Sequence, residues 1–170
     1  WPPSYWATLA DQVTTSTGAQ VLFIGSASDR PLVDAIRERT RAPSVSLAGA
    51  TSIAQLMGVL QRCRAVVSGD TGPLHLAVAL GVPAIGLYGP TSPVQTGPFS
   101  PAARVLRHPL PCSPCYDLRR PAECRLPDRS VACMWGLSPA DVYLALHQLL
   151  HPEGEAEAAR LPAQRVTFDS

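Results

Sequence analysis

The run SGDTGPLHLAVALGVPAIGLYGPTSP, Ser68 to Pro93, sets one acid, Asp70, shortly before one histidine, His75, in otherwise apolar and glycine-punctuated surroundings. Read as strand AVVSGD, turn TGP and helix LHLAVALG, it puts Asp70 at the carboxyl end of a strand, with Thr71, Gly72 and Pro73 as the first turn of a helix. Backbone N–H groups at a helix start have no intrahelical acceptor, and the dipole adds positive charge there, so this turn can take phosphate oxygens. Gly72 allows close approach, Thr71 supplies a hydroxyl, and His75, one turn in, can donate to the same anion without any proton-transfer role. The plain alternative is that Asp70 or Thr71 caps the helix and His75 is a satisfied core histidine. A second polar turn, Gly89, Pro90, Thr91 and Ser92, closes the next strand; it either borders a cleft shared with the first turn or is a structural turn.

A different chemistry is offered by Cys112, Cys115, Cys124 and Cys133, spaced C-x2-C-x8-C-x8-C. Four thiols so spaced suit a structural zinc ion or an iron–sulfur cluster. Disulfides, which a reducing compartment disfavours, and free thiols in a loop are the competing readings. A metal with all four ligands occupied would staple the loop rather than act in catalysis. Cys63, on an apolar helix face, reads as an ordinary buried thiol.

These residues need a scaffold, and the hydrophobic pattern supplies one. Tyr5, Trp6, Leu9, Ala10 and Val13 fall at helical spacing between Pro2–Pro3 and Gly18. AQVLFIGS is a continuous apolar run, as in a strand buried on both faces; Asp29 then reads as the N-cap of a helix through about Arg41. PSVSLAG gives a second strand, Thr51 or Ser52 caps the helix SIAQLMGVLQRC, and RAVVSGD is the third strand. VPAIGLYGP and ARVLRH continue the alternation, and SPADVYLALHQLL, capped by Ser138, is the last helix. Strands and helices alternating through short links imply right-handed crossovers and a doubly wound, Rossmann-like α/β sheet, whose ligands sit at the carboxyl ends of the strands. The expected organisation is one domain over 1–151, interrupted by a Cys-rich insertion at 109–136, with 152–170 as a mobile tail of low apolar content.

A net charge of +1 gives no reason to expect nucleic acid or an anionic membrane as partner. No stretch approaches the roughly 20 apolar residues of a transmembrane helix, and no signal peptide opens the chain, so a cytoplasmic protein is expected. It begins at Trp1 directly in a helix entry, as an excised piece of a longer polypeptide would. Trp1, Trp6, Trp135 and Tyr88 could stack on a base or sugar, although Trp6 reads as packing; His108, His147 and His151 read as surface residues.

The motif SGDTGPLHLAVALGVPAIGLYGPTSP resembles the signature of the heptosyltransferases, glycosyltransferase family 9, in which D-[ST]-G-x-x-H leads to a G-P-[ST]-x-P turn. WPPSYWATLADQV, VLFIGSASD and LAGATSIAQLMGVLQRCRAVVSGD resemble further family segments in the same order, from Trp1 to about Arg107, and the GSASD loop and Cys-rich insertion resemble the lipopolysaccharide heptosyltransferase II branch.

The resemblance implies the C-terminal, donor-binding half of a GT-B glycosyltransferase: an inverting enzyme moving heptose from ADP-heptose to a lipid-linked sugar of the lipopolysaccharide inner core, with no cofactor required for transfer. Asp70, Thr71, Gly72 and His75 would then lie at the donor diphosphate. Gly25, Ser26 and Asp29 would line the nucleotide side, with Thr51 and Ser52 near the base or ribose and Gly89, Pro90 and Thr91 along the cleft. The general base would belong to an N-terminal acceptor domain, so the catalytic acid–base residue is expected outside this sequence. A family lysine expected just before the WPP segment is likewise outside it, and peripheral association with the inner face of the inner membrane is expected. The alternative reading is a stand-alone nucleotide-binding or metal-stapled interaction module; a dehydrogenase is disfavoured because no G-x-G-x-x-G opens a helix after a strand.

Overall fold

In the computed structural model, which describes residues 1–116, 124, 126, 128 and 130–151, β-strands and helices alternate as the pattern requires. The expected tail from residue 152 and much of the Cys-rich insertion lie outside the described residues. Helix α1 (Pro3–Thr17) starts after Pro2 and stops at Gly18, whose φ of 68° is the left-handed closing conformation that glycine adopts without a side-chain clash. The remaining elements are β1 (Val21–Phe23), a 3₁₀ turn (Ala27–Asp29), α2 (Arg30–Arg37), β2 (Ser44–Ser46), α3 (Ile53–Leu60), β3 (Val66–Gly69), α4 (Gly72–Ala79), β4 (Ala84–Tyr88), α5 (Pro93–Thr96), β5 (Ala103–Arg107), α6 (Ala132–Trp135) and α7 (Pro139–Leu150).

Among the described residues every strand pairing is parallel. β1 runs beside β2, with Val21 opposite Ser44, and β4 lies between β3 and β5, with Ala84 opposite both Val66 and Ala103. The two ladders are not joined by backbone pairing; Ile24, just after β1, instead packs against the cluster of Leu60, Val66, Ala77 and Val82. β1 is therefore half-buried rather than covered on both faces, a correction to the reading of AQVLFIGS that follows from its having only β2 as a ladder partner.

β4 is the strand around which the core forms. All five of its residues are buried, and alternation sends successive side chains to opposite faces. Ile85 and Leu87 join Leu9 of α1 and Val142, Ala145 and Leu146 of α7, while Ala84 and Tyr88 pack with Leu74 of α4. Gly86 lies on that second face, where a β-carbon would come within 2.8 Å of the Tyr88 ring and 3.1 Å of a Leu74 methyl. The missing side chain is what lets the tyrosine ring lie flat along the strand.

Two local boundaries differ from the sequence reading, each for a visible reason. α2 ends at Arg37 rather than near Arg41, because Asp11 of α1 accepts the backbone N–H groups of Arg41 and Ala42, both at 2.8 Å, and draws them out of helical pairing. Asp29 does not cap α2: its carboxylate turns back to Ser26, accepting from the backbone N–H at 2.8 Å and the hydroxyl at 2.6 Å. Ser52 and Ser138 cap α3 and α7 as expected, Ser52 within a reciprocal capping box with Gln55.

The aromatic residues also serve packing. Trp1 and Trp6 meet edge to face at 4.9 Å, Tyr5 and Trp135 at 5.2 Å, and the Trp1 indole donates to the Leu137 carbonyl at 2.8 Å. Tyr88 is fully covered, which corrects its reading as a platform for a base or sugar. His147 and His151 are exposed as expected, with their rings 4.6 Å apart. Among the described residues no helix is long and apolar enough to cross a membrane.

Gly86→Ala is expected to lower the unfolding free energy by about 1–3 kcal/mol, the usual cost of overpacking a close-packed site. Urea denaturation followed by circular dichroism checks this; an unchanged midpoint would show that the ring and the Leu74 methyl move aside freely.

Candidate functional site

The carboxyl ends of β3 and β4 meet at Asp70. The chain leaves β3 at Gly69, turns through Asp70 and the extended Thr71, and enters α4 at Gly72 with Pro73 in the first turn. Thr71 does not cap with its side chain: its hydroxyl pairs with that of Ser68 at 2.9 Å, while its carbonyl accepts from Leu74 at 3.0 Å. The first-turn N–H groups of α4 are thus not capped by Thr71, the condition the anion reading needs.

Asp70 has an 11% exposed side chain and is met by a ring of donors. His75 Nε2 lies 3.1 Å from Oδ1, the Thr96 hydroxyl donates to Oδ2 at 2.6 Å, and the Tyr88 hydroxyl lies 3.3 Å from Oδ1. Thr91, in the turn after β4, adds to their effect on the same carboxylate. Burial pushes the carboxyl pKa up, but the bonds from Thr96, His75, Thr91 and Tyr88 outweigh that and hold it below the ordinary aspartate value. Tyr88 moves the other way, pushed up to about 12 by burial and by the adjacent carboxylate, so its phenol stays protonated and donates.

Of the residues expected together from the sequence, Asp70, Thr71, Gly72, His75 and Thr91 do gather at this end of the sheet. Tyr88 and Thr96 join them unannounced. A tyrosine ending an otherwise apolar buried strand was the available signal, because a buried phenol needs a partner. Thr96 carried no such mark, since its place depends on the turn after β4.

Gly25, Ser26 and Asp29 form the loop after β1. A β-carbon on Gly25 would meet the Asp29 side chain at 2.9 Å, so glycine is what allows the aspartate to fold back on Ser26. The neighbouring loop after β2 is stitched to it: Gly49 donates to the Gly25 carbonyl at 2.8 Å, and Arg30 donates to the carbonyls of Ala48 and Gly49. Gly49 sits at φ 64°, with Ala27 so near that any side chain would clash. Thr51 and Ser52 follow at the start of α3, where Ser52 is engaged as a cap.

Gly89 and Pro90 face the cysteine loop rather than open space. The Ser113 hydroxyl donates to the Gly89 carbonyl, and the backbone N–H groups of Cys115 and Tyr116 both reach the Pro90 carbonyl at 2.8 Å. A β-carbon on Gly89 would strike Met134 at 2.5 Å and the Cys133 sulfur at 2.9 Å. Cys133 is buried; its thiol pKa is raised by burial first and then by the charges of Cys115, Cys124 and Cys112. The four thiols share one neighbourhood, yet among the described residues no group of three or more His, Cys, Asp or Glu is placed to hold a metal ion.

Comparison with known proteins places this geometry in context. The model of glycosyltransferase family 9 (heptosyltransferase) matches residues 1–125. Lipooligosaccharide heptosyltransferase 2 of Haemophilus influenzae is 41% identical over 111 residues, which is 63% of this chain and 32% of that protein. Lipopolysaccharide heptosyltransferase 2 of Escherichia coli is 39% identical over the same length. The solved ADP-heptose heptosyltransferase II of E. coli superposes with a TM-score of 0.74 at 32% identity, covering 91% of this chain and 43% of that one. The E. coli heptosyltransferase WaaC solved with ADP gives 0.64 at 25% identity over 88% of this chain and 39% of its own. The chain therefore spans about a third of the length of the curated relatives it matches.

Because the folded-state pKa of Asp70 is lowered, its ionised form stabilises the fold above the unfolded value of about 4, and that contribution disappears as pH falls through the folded value. Urea midpoints measured from pH 6 down to pH 3 should drop further for the wild type than for Asp70→Asn, the two converging at the acid end. Parallel curves would show that the carboxylate is not held in its charged form.

Proposed function

Since the chain belongs to glycosyltransferase family 9, the heptosyltransferases, we propose that it is the nucleotide-sugar-binding part of an inverting glycosyltransferase that uses ADP-heptose and a lipid-linked sugar of the lipopolysaccharide inner core. The observation that carries this reading is the pairing of the α4 start with an Asp70–His75 couple at the carboxyl ends of β3 and β4. Sheets of this kind bind nucleotides at that edge.

In this reading the diphosphate lies at the start of α4, taken up by the backbone N–H groups of Thr71 and Gly72, with Gly72 leaving open space for close approach. His75, its side chain 45% exposed, stands where it can donate to a phosphate oxygen. The loops of Gly25, Ser26 and Asp29 and of Thr51 and Ser52 form the nucleoside side, and Thr91 borders the cleft. As the acceptor hydroxyl attacks the anomeric carbon, the bond from that carbon to the diphosphate oxygen breaks and ADP leaves with the electron pair. Helix-end N–H groups and His75 would stabilise the charge gathering on the leaving group, so the transfer calls on no metal. The proton of the acceptor hydroxyl goes to a base in a further, acceptor-binding domain. Asp70 is a poor base for that role, since the hydrogen bonds from Thr96 and His75 favour its ionised form and so lower its affinity for a proton. The solution of a relative together with ADP supports the choice of adenosine diphosphate.

The whole protein is proposed to work at the cytoplasmic face of the inner membrane, held there by its acceptor rather than by a spanning helix. Residues 1–151 are proposed as the donor-binding unit.

Calorimetric titration of the chain with ADP, UDP and NAD tests the reading. ADP should bind, and His75→Ala and Asp70→Ala should each weaken it roughly tenfold, the value of one hydrogen bond to a charged group. Binding of UDP or NAD in preference to ADP would overturn the donor assignment.

A further inference from the structure

The hydrogen bonds around Asp70 are not equal, and their order singles out a residue outside the DTGPLH segment that carries Asp70 and His75. The Ser92 carbonyl lies 3.1 Å from the Thr96 hydroxyl, but it already accepts the backbone N–H groups of Gln95 and Thr96, both at 3.0 Å. The single hydroxyl proton of Thr96 is therefore directed to Asp70 Oδ2 at 2.6 Å, a length typical of a charge-assisted bond. The Tyr88 phenol likewise has one proton and two acceptors, the Thr96 carbonyl at 2.9 Å and Asp70 Oδ1 at 3.3 Å, and the shorter contact is to Thr96. Thr96 thus receives a bond on its carbonyl from buried Tyr88 and passes one from its hydroxyl to Asp70.

Along that chain, one carboxylate oxygen is committed to Thr96, and the other is turned to His75 Nε2. The ring is then oriented with Nε2–H donated to the Asp70 carboxylate and Nδ1 turned outward, and Nδ1 donates to a phosphate oxygen when the ring carries both protons. We infer that Thr96, braced by Tyr88, is a positioning residue that fixes the Asp70 carboxylate and through it the orientation of the His75 imidazole in the proposed donor site. This inference rests on the donor-site reading for its purpose, but the hydrogen-bond chain itself exists without any ligand. It also accounts for the short helix α5, which Thr96 ends: through that residue the turn after β4 and the turn after β3 are locked to each other.

The test compares Thr96→Val, which keeps the shape and removes the hydroxyl, with Thr96→Ser, which keeps the hydroxyl, and with Tyr88→Phe, which removes the brace. In ligand-free protein, the Asp70 carboxyl carbon titrated by NMR should move its midpoint up by about one unit in Thr96→Val, stay at the wild-type value in Thr96→Ser, and move less in Tyr88→Phe. The nitrogen-15 spectrum of the His75 ring should lose its single-tautomer pattern in Thr96→Val and keep it in Thr96→Ser. ADP affinity, measured on the same folded samples, should fall roughly tenfold in Thr96→Val only. An unshifted Asp70 midpoint in folded Thr96→Val, or a Thr96→Ser variant as impaired as Thr96→Val, overturns the inference. The expected NMR changes in a chain that binds UDP or NAD instead of ADP would uphold the positioning role while removing the donor assignment.

Discussion

A carboxylate shielded from water has to be met by donors, and at Asp70 that requirement ties the molecule together. The groups around it come from four places: His75 from α4, Thr96 from α5, Thr91 from the turn after β4, and Tyr88 from the end of β4, which braces Thr96. An ionised group in that position would be costly if any large share of these bonds were missing. Satisfying it fixes how far each of the four segments can move, so the geometry of the site and the stability of this end of the sheet are one problem.

The demand propagates inward through β4. Tyr88 can lie fully covered beneath Asp70 because Gly86, two residues earlier on the same face, leaves room for its ring. The opposite face of the same strand, Ile85 and Leu87, is held by α1 and α7. A five-residue strand thus anchors the core on both sides while its last side chain props the polar network. Gly89, directly beyond, gives way to Met134 and Cys133, so the cysteine loop packs against the back of the turn whose front borders Asp70. The loops after β1 and β2 show the same economy: Gly25 and Gly49 permit close contacts that tie the two loops to each other.

Membership of a glycosyltransferase family and the geometry of the site meet at a single conclusion about Asp70. The acid most visible in the sequence motif is held in its ionised form by its hydrogen bonds and lies against the histidine of the same motif.

The alternation of strands and helices, the capping serines Ser52 and Ser138 and the turn at Gly18 were legible from sequence, because each depends on local physics: side-chain period, a cap within three residues, a glycine at positive φ. So was the assembly of Asp70, Thr71, Gly72 and His75, which neighbour one another along the chain. Other features needed the fold, because their causes are distant in sequence. The early end of α2 is set by Asp11 of α1, and the half-burial of β1 by the lack of a ladder partner beyond β2. Thr96, 26 residues beyond Asp70, reaches it only because β4 returns the chain to the same edge of the sheet. Residue type and spacing determined which groups could do chemistry; tertiary structure decided which of them a partly buried charge would recruit, since that charge answers to proximity in space and not to spacing along the chain.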